Sequence, residues 1–333
     1  MNADALNRLQ SLPRLPLAFI PTPLMPSPNL RAALGAEAPP ILVKNDDWTG
    51  LALGGNKVRK LEFVFGQMDP GTDTVITCGG PQSNHCRVTA AAAAQLGLEC
   101  ILVVNGRPPD PPTGNSLLMR LFGAEIRPVE GREDRDPGME AAAGEVRARG
   151  RQPLVIPLGA STPLGALGYV QAALEVDRQM AERGGWAKGR TWIFVSSSSC
   201  GTLAGLALGF ALLDRTNVRL VGVSPDITAE EMLTTTHQLA RGAAELLGAE
   251  VSLPQHLVVS EDRFVGEGYG MPTPSSLEAA DFFGRKGGMI LDQVYTAKAG
   301  AGFLDWIRQG RLPPGDTALF WHTGGAPAIF SRD

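Results

Sequence analysis

The stretch TWIFVSSSSCGTLAGLALGFALL, residues 191–213, decides the fold class. It carries no charged side chain and is long enough to cross a bilayer. Its four consecutive serines argue against a membrane span, because their hydroxyls would lie unsatisfied in lipid. We therefore predict a buried strand at 192–195, a polar loop, and a helix that begins near Gly201. This order is typical of a soluble α/β core and predicts no contact with a membrane.

The rest of the chain repeats this alternation of strand and helix. Short runs rich in Val, Ile and Leu recur between helical patterns and predict strands at 74–78, 100–104, 155–157, 219–223 and 318–321. Near-continuous apolar strands are typical of parallel sheets that helices cover on both faces. The predicted fold class is therefore α/β, without a linker or an internal repeat.

Composition excludes several classes of function. The 333 residues carry a net charge of −4 and no basic run, so a nucleic-acid partner is not expected. The N-terminal MNADALNRLQ lacks the features of a signal peptide, and we expect a cytoplasmic protein. The four cysteines lack metal-site and disulfide spacing, which favours buried free thiols in a reducing compartment. The four histidines show no ligand spacing, so no metal site is expected.

One lysine stands out among the few in the chain. Lys57 follows two glycines in LALGGNKVRKLE (51–62) and opens an amphipathic helix. The positive pole of that helix, with Arg59 and Lys60 nearby, should lower the pKa of the Lys57 amine. Such an amine is a good nucleophile and forms Schiff bases. A solvated lysine in a first helical turn would show the same pattern, so the residues alone leave both interpretations open.

Two polar loops follow predicted strands, at the sheet edge where α/β proteins bind ligands. The first is QSNH (82–85) at the start of a helix, where capping explains one of the four polar side chains but not all of them. The second lies in VSSSSCGTLAGLALG (195–209), whose hydroxyls and helix start suit an anion such as phosphate. A serine-rich helix cap without a ligand would look the same. The chain has no dinucleotide or P-loop motif.

Three later loops complete the candidate residues. Tyr269 and Tyr295, two of the three tyrosines, lie in segments rich in Gly and Thr, where a phenol can face a ligand. Core packing explains an aromatic side chain more often than catalysis does. The turn Thr-Gly-Gly at 323–325 follows the last predicted strand directly, and we expect it at the same ligand-binding edge.

The motifs of the chain, taken in order, resemble those of the family of D-cysteine desulfhydrase and 1-aminocyclopropane-1-carboxylate deaminase. They are GGNKVRKLE (54–62), QSNH (82–85), STPLGALGYV (161–170), EGYGMP (267–272), DQVYTAKA (292–299) and HTGGAP (322–327). The family belongs to the tryptophan-synthase-β-like, fold type II enzymes. The resemblance covers essentially the whole chain. It implies two open, twisted, mostly parallel sheets with flanking helices, and pyridoxal 5'-phosphate as the cofactor.

The resemblance also implies which residues hold the cofactor. Lys57 would form a Schiff base with it and then move the α-proton of the substrate, while Lys60 would help to hold the phosphate. The residues of the phosphate cradle would be Ser198, Ser199, Cys200, Gly201 and Thr202. The family usually has more glycine at positions 198 and 200, so this loop departs from its pattern. Asn84 would bond the pyridoxal 3-oxygen.

Further implied roles concern the substrate. Ser83 and the backbone amides of Asn84 and His85 would bind its carboxylate, and Tyr269 and Tyr295 would flank it. The implied catalytic residues are Lys57, Ser83, Tyr269 and Tyr295. The substrate is expected to be a small amino acid.

Thr296 separates the two activities of the family. In the deaminase a glutamate at this position contacts the pyridine nitrogen and makes the ring a strong electron sink. A threonine hydroxyl leaves the nitrogen largely unprotonated, which favours prompt loss of a β-substituent. The expected reaction is therefore α,β-elimination of D-cysteine to pyruvate, ammonia and hydrogen sulfide. The alternatives are an L-cysteate sulfo-lyase, the deaminase, an amino-acid racemase and a non-catalytic binding homologue.

The resemblance implies a divided architecture. A large cofactor-binding domain would comprise residues 1–61 and 163–333. A small domain, 62–162, would close over the substrate because it carries the carboxylate loop at 83–85. The family resemblance also implies a homodimer.

Overall fold

A computed structural model describes residues 1–331, which form ten strands and eleven α-helices. The strands are β1 (Leu24–Pro26), β2 (Ile41–Asn45), β3 (Thr74–Gly79), β4 (Glu99–Asn105), β5 (Glu125–Val129), β6 (Pro153–Ile156), β7 (Thr191–Ser196), β8 (Val218–Val223), β9 (Val258–Glu261) and β10 (Thr317–His322). The helices are α1 (Ala3–Ser11), α2 (Pro28–Leu34), α3 (Lys57–Gly66), α4 (Asn84–Leu96), α5 (Gly114–Leu121), α6 (Arg135–Ala148), α7 (Pro163–Glu182), α8 (Gly201–Leu212), α9 (Ala229–Leu246), α10 (Pro274–Gly287) and α11 (Thr296–Arg308).

These strands form two sheets. The larger has the order β1-β2-β10-β7-β8-β9 and is parallel except for the short edge strand β1. The smaller has the order β5-β4-β3-β6 and is wholly parallel. Apolar clusters lie between the sheets' strands and their helices, as parallel sheets require. The predicted fold class, two mostly parallel sheets with flanking helices, is confirmed.

Each of the six strands predicted from the sequence is present, with ends shifted by no more than two residues. The helix expected near Gly201 begins there as α8, and Gly97 ends α4 in the left-handed conformation. Four strands escaped the sequence analysis. Strand β2 ends in the polar pair Lys44 and Asn45, which its neighbours bury, while β1, β5 and β9 are short or polar edge strands.

The structure also shows the state of the cysteines and the character of the helices. Cys78, Cys86, Cys100 and Cys200 are all buried and free. Burial raises the pKa of the Cys78 thiol to about 11 and that of Cys86 to about 12, so neither is a ready nucleophile. Within residues 1–331, no helix combines the length and the apolar character that a bilayer crossing requires.

Candidate active site

The carboxyl ends of strands from both sheets meet around one cavity. Its walls come from the segments that follow β3, β7, β8 and β10, together with the start of α3. The cavity encloses about 830 Å³ of space, part of it open to solvent. This size and position are typical of a small-molecule site in an α/β protein.

Lys57 is the first residue of α3, and its side chain enters this cavity. Its Nζ lies 3.2 Å from Asn56 Oδ1. Burial lowers the pKa of the Lys57 amine to about 8, while Asp292 opposes that shift and Arg87 adds to it. The lowered pKa expected from the sequence is present, but its cause differs. Arg59 turns away and pairs with Asp46 and Glu175, and burial makes the largest contribution instead.

The serine-rich loop after β7 lines a second wall. Ser198, Ser199, Cys200 and Thr202 all face the cavity, as do Ser196 and Ser197, to which the sequence analysis assigned no role. The hydroxyls of Ser196 and Ser197 are buried and have no hydrogen-bond partner in residues 1–331. Helix α8 begins at Gly201 and directs its free backbone amides towards this loop. The loop therefore offers unsatisfied donors where an anion can bind.

Lys60 supports this loop from behind and does not line the cavity. Its Nζ donates to Gly159 O at 2.9 Å and to Ser161 Oγ at 2.7 Å, and Ser161 Oγ lies 2.7 Å from Ser199 Oγ. Burial lowers the pKa of the Lys60 amine well below its usual range. A Cβ on Gly201 would lie 2.6 Å from Lys60 Nζ, so only glycine fits there without displacing the amine.

The start of α4 forms the opposite wall, with Ser83, Asn84 and His85. Ser83 is the N-cap, and its hydroxyl accepts from Cys86 N at 3.2 Å. Asn84 Oδ1 accepts from Arg87 at 2.9 Å and from Asn115 at 3.0 Å. These partners fix the side chains of Ser83 and Asn84, and the first backbone amides of α4 remain for a ligand carboxylate.

His85 contributes to this wall as a neutral, structural side chain. Its Nε2 lies 2.8 Å from Thr77 Oγ1, which donates its own proton to Ile156 O at 2.6 Å. The imidazole Nε2 must therefore carry the proton and donate it. Burial lowers the pKa of His85 well below its usual range, and the charges of Lys57 and Lys60 add to the shift. Across residues 1–331, no cluster of three metal-ligating side chains is found.

Tyr269 and Tyr295 face the cavity from the large-sheet side. Their hydroxyls are hydrogen-bonded to each other, and their ring centroids lie 5.7 Å apart at 72°. Burial raises the pKa of both phenols, so both are neutral near pH 8. Lys298 fixes the segment before Tyr269, because its Nζ donates to Val265 O at 2.7 Å and Gly268 O at 2.8 Å.

Thr296 does not line the cavity, although Tyr295 beside it does. Its hydroxyl donates to Asp292 Oδ1 at 2.7 Å and accepts from Asp292 N at 2.7 Å. Asp292 also accepts from the amides of Val294, Tyr295 and Thr296, and so fixes the start of α11. The contact between Thr296 and the pyridine nitrogen stays a prediction.

Several lining residues escaped the sequence analysis. They are Asn56, Arg132, Arg135 and Asp226. Asn56 belongs to a motif that was recognised, so its position in the sequence was a usable signal, and the Thr323-Gly324 turn lines the cavity as expected. Arg132 lies in a polar break, and Asp226 is the third residue after β8. Nothing in the linear sequence indicates that these two meet.

The residues of the cavity fit pyridoxal 5'-phosphate. The orphaned hydroxyls of Ser196 and Ser197, with the start of α8, suit the phosphate. An amine with a lowered pKa, that of Lys57, is available in the same cavity for the aldehyde. The start of α4 leaves an anion site for an amino-acid carboxylate.

Comparisons with known proteins agree with this fit. The family model described as pyridoxal-phosphate dependent enzyme matches residues 15–324. The chain is 40% identical over 334 residues to D-cysteine desulfhydrase of Salmonella choleraesuis (strain SC-B67), covering 98% of each. The relative of the same name from Salmonella paratyphi B (strain ATCC BAA-1250 / SPB7) gives the same identity and coverage.

Solved structures lead to the same family. The crystal structure of an ACC deaminase homologue is 37% identical, with a TM-score of 0.88 over 99% of this chain and 97% of that one. A pyridoxal 5'-phosphate-dependent aspartate racemase shares the fold at 17% identity, with a TM-score of 0.70 over 97% and 94%. The resemblance inferred from the motifs is confirmed: the chain belongs to the pyridoxal-phosphate-dependent enzymes of fold type II.

Proposed function

We propose that this enzyme is a carbon–sulfur lyase that converts D-cysteine and water to pyruvate, ammonia and hydrogen sulfide. The observation that carries the proposal is one cavity that combines the Lys57 amine, the serine-rich loop and the Tyr269–Tyr295 pair. The D-cysteine desulfhydrases that match the chain over nearly its full length support the choice of substrate. Position 296 holds a threonine, whose hydroxyl donates a hydrogen bond to Asp292, and not a glutamate.

We propose the following roles for the cofactor-binding residues. Bound pyridoxal phosphate supplies an electron sink for the charge that remains when the α-proton leaves. Lys57 would carry it, Asn84 would bond its 3-oxygen, and Thr296 would lie at its ring nitrogen. Lys60 would help to hold the phosphate. The phosphate itself would be bound by Ser198, Ser199, Cys200, Gly201 and Thr202.

The substrate is held by the opposite wall in this proposal. Ser83 and the amides of Asn84 and His85 would bind its carboxylate at the start of α4. The freed amine of Lys57, whose pKa burial lowers to about 8, removes the α-proton in its neutral form as a general base. The Cβ–S bond then breaks, and sulfur leaves with the electron pair. The phenols of Tyr269 and Tyr295 flank the substrate at that stage.

A second candidate is elimination of sulfite from L-cysteate, and one observation favours it. The cavity contains the guanidinium of Arg132, a group that binds sulfonates well when no carboxylate is paired with it. No residue that lines the cavity favours ring opening of aminocyclopropane carboxylate or racemisation.

A 2-oxo-acid release assay tests the proposal. The substrates are D-cysteine, L-cysteine, L-cysteate, β-chloro-D-alanine and 1-aminocyclopropane-1-carboxylate, with purified holoenzyme. D-Cysteine and β-chloro-D-alanine should be turned over, and the Lys57→Ala variant should be inactive. Lys286→Ala, at the exposed end of α10, is the matched control and should keep full activity. Turnover of aminocyclopropane carboxylate alone would overturn the proposal.

We also propose the domain division expected from the sequence, 1–61 with 163–333 and 62–162. The strands of the small sheet all lie within 74–156 and those of the large sheet outside that range, which supports it. The four buried free cysteines suit a reducing compartment, in keeping with a cytoplasmic enzyme.

Finally, we propose a homodimer. One shallow groove gathers exposed apolar side chains, among them Trp48 (56% exposed), Leu53 (63%) and Phe330 (69%). Such a patch is typical of a protein–protein interface. Light scattering after size exclusion should give twice the 35.2 kDa of the chain. A mass equal to one chain would contradict the dimer.

A further inference from the structure

One ion pair at the cavity has no part in the roles proposed so far. Arg132 lies between β5 and α6, and Asp226 is the third residue after β8, so the two come from the ends of strands in different sheets. Arg132 Nη1 lies 3.5 Å from Asp226 Oδ2, and both residues line the cavity with Tyr269 and Tyr295. The pair therefore joins the two sides of the cavity beside the tyrosines that would flank the substrate.

The two partners differ in how firmly they are held. Asp226 is 9% exposed, its amide donates to Ser224 Oγ at 3.1 Å, and Lys298 donates to the preceding Pro225 O at 3.1 Å. Arg132 is 49% exposed, and its guanidinium carbon lies 4.5 Å from the centroid of the Tyr269 ring. Asp226 is thus a fixed charge, whereas Arg132 is the adjustable partner.

Asp226 also has spare acceptor capacity inside the protein. Its Oδ1 is buried and has no hydrogen-bond partner in residues 1–331. A buried carboxylate oxygen without a donor depends on nearby cations, so loss of Arg132 to a ligand would leave Asp226 with only the electrostatic influence of Lys298, which makes no ion pair with it. The second guanidinium of the cavity, that of Arg135, is bound to Asn105.

We propose that the Arg132–Asp226 pair decides which β-substituent the enzyme accepts: Asp226 neutralises Arg132, so the site takes a thiol and rejects an anionic group such as a sulfonate. This proposal rests on the proposed lyase function. A sulfonate would have to draw Arg132 away from Asp226 and then lie near an unpaired carboxylate. Such a repulsive element is a common source of specificity between otherwise similar substrates.

The test compares two substrates that differ only in that group, D-cysteine and D-cysteate. The kcat/KM for pyruvate release is measured for the wild type, Asp226→Asn, Arg132→Met and the double variant. Asp226→Asn should raise the D-cysteate to D-cysteine ratio about tenfold or more, because Arg132 becomes free to bind the sulfonate. Arg132→Met and the double variant should not raise it.

Two results would overturn the proposal. One is a ratio in Asp226→Asn within about twofold of the wild type. The other is a rise in the double variant as large as that in Asp226→Asn, since Arg132 would then play no part. The control is Asp281→Asn, which removes the carboxylate from the exposed pair with Arg285 on α10 and should leave the ratio unchanged.

A binding measurement separates this proposal from the proposed function. Calorimetric affinities for D-aspartate, with an anionic side chain, and D-serine, with a neutral one, need no turnover. If the wild type released no pyruvate from D-cysteine, the proposed function would fail. Because of the Arg132–Asp226 pair, the wild type should still bind D-serine more tightly than D-aspartate. The Asp226→Asn variant should lose that difference in affinity. An unchanged preference would overturn the proposal by itself.

Discussion

The hydroxyls of Tyr269 and Tyr295 share a hydrogen bond, with the ring centroids 5.7 Å apart. Tyr295 is the N-cap residue of α11, and Tyr269 lies in the segment that Lys298 of the same helix holds in place. The start of α11 therefore positions both phenols on the cavity wall. Since burial raises the pKa of each, both phenols keep their protons near neutral pH and can donate to a substrate or a leaving group.

Loss of either hydroxyl should impair turnover more than binding. Tyr269→Phe and Tyr295→Phe keep the rings and remove one proton donor each, and kcat should fall about 100-fold with little change in KM. Steady-state kinetics with D-cysteine measure this. Tyr169→Phe is the matched control, because Tyr169 donates to the buried Asp46 away from the cavity. If Tyr269→Phe and Tyr295→Phe both keep the wild-type kcat, the two tyrosines contribute only packing to the site.

The pKa of Lys57 predicts how the apoenzyme recovers its cofactor. Only the neutral amine attacks an aldehyde, and burial lowers this pKa from 10.5 to about 8. Below pH 8 the rate of reconstitution with pyridoxal phosphate should rise about tenfold per pH unit, and above pH 8 it should level off. Stopped-flow absorbance follows the reaction. A rate that still rises between pH 9 and pH 10, roughly the behaviour of a solvated lysine, would contradict this.

A methyl group at the start of α8 should weaken cofactor binding. The Cβ of Gly201→Ala would lie 2.6 Å from Lys60 Nζ and 2.8 Å from Ser161 Oγ, in the support of the serine-rich loop. We expect the dissociation constant for pyridoxal phosphate to rise about tenfold or more. Fluorescence titration of apoenzyme measures it.

Gly144→Ala in α6 is the control for this variant, since an added Cβ there meets nothing within 4 Å. It should leave cofactor affinity unchanged and stabilise the fold by about 0.5–1 kcal/mol. If both variants bind pyridoxal phosphate as tightly as the wild type, Gly201 plays no part in cofactor binding.

A buried ionic cluster beneath Lys57 should govern stability. Asp46 accepts hydrogen bonds from Arg59 at 2.9 Å, Tyr169 at 2.7 Å and Trp321 at 2.9 Å. Burial alone would raise its pKa, but Arg59 and Lys44 hold it at about 2. Asp46→Asn leaves Arg59 with one carboxylate partner fewer and should cost about 3 kcal/mol of unfolding free energy in urea.

The pH dependence of that stability has a defined sign. Because the folded-state pKa of Asp46, about 2, lies below the ordinary 3.8, its contribution is complete above pH 3.8 and is lost as the pH falls to 2. The variant should lack this part of the acid transition. Asp281→Asn, in an exposed pair, should behave as the wild type. Equal acid transitions in Asp46→Asn and the wild type would contradict the pKa.

The sequence predicts those features of the structure that one continuous segment of the chain builds. Lys57 and the serine-rich loop are each local motifs beside a strand or helix start, so sequence patterns identified them. The wall built by Ser83, Asn84 and His85 is equally local. Strand β5 was missed because at the sheet edge its charged residues stay partly exposed and weaken the apolar pattern.

Features that join distant segments could not be predicted. Arg132 and Asp226 meet only because two sheets bring the ends of β5 and β8 to one cavity. Arg59, next to Lys57 in sequence, was expected to lower the pKa of that amine. The fold instead turns it towards Asp46 and Glu175, and such a choice of partners depends on tertiary packing.

In the proposed enzyme Lys57, and no other lysine, carries the cofactor. Borohydride reduction of the holoenzyme fixes the Schiff base, and peptide mass spectrometry then locates the pyridoxyl phosphate group. The group should be on the peptide that contains Lys57, and Lys57→Ala should lose both the adduct and the absorbance at about 420 nm. An adduct on Lys60 or any other lysine, or visible absorbance retained by Lys57→Ala, would contradict it.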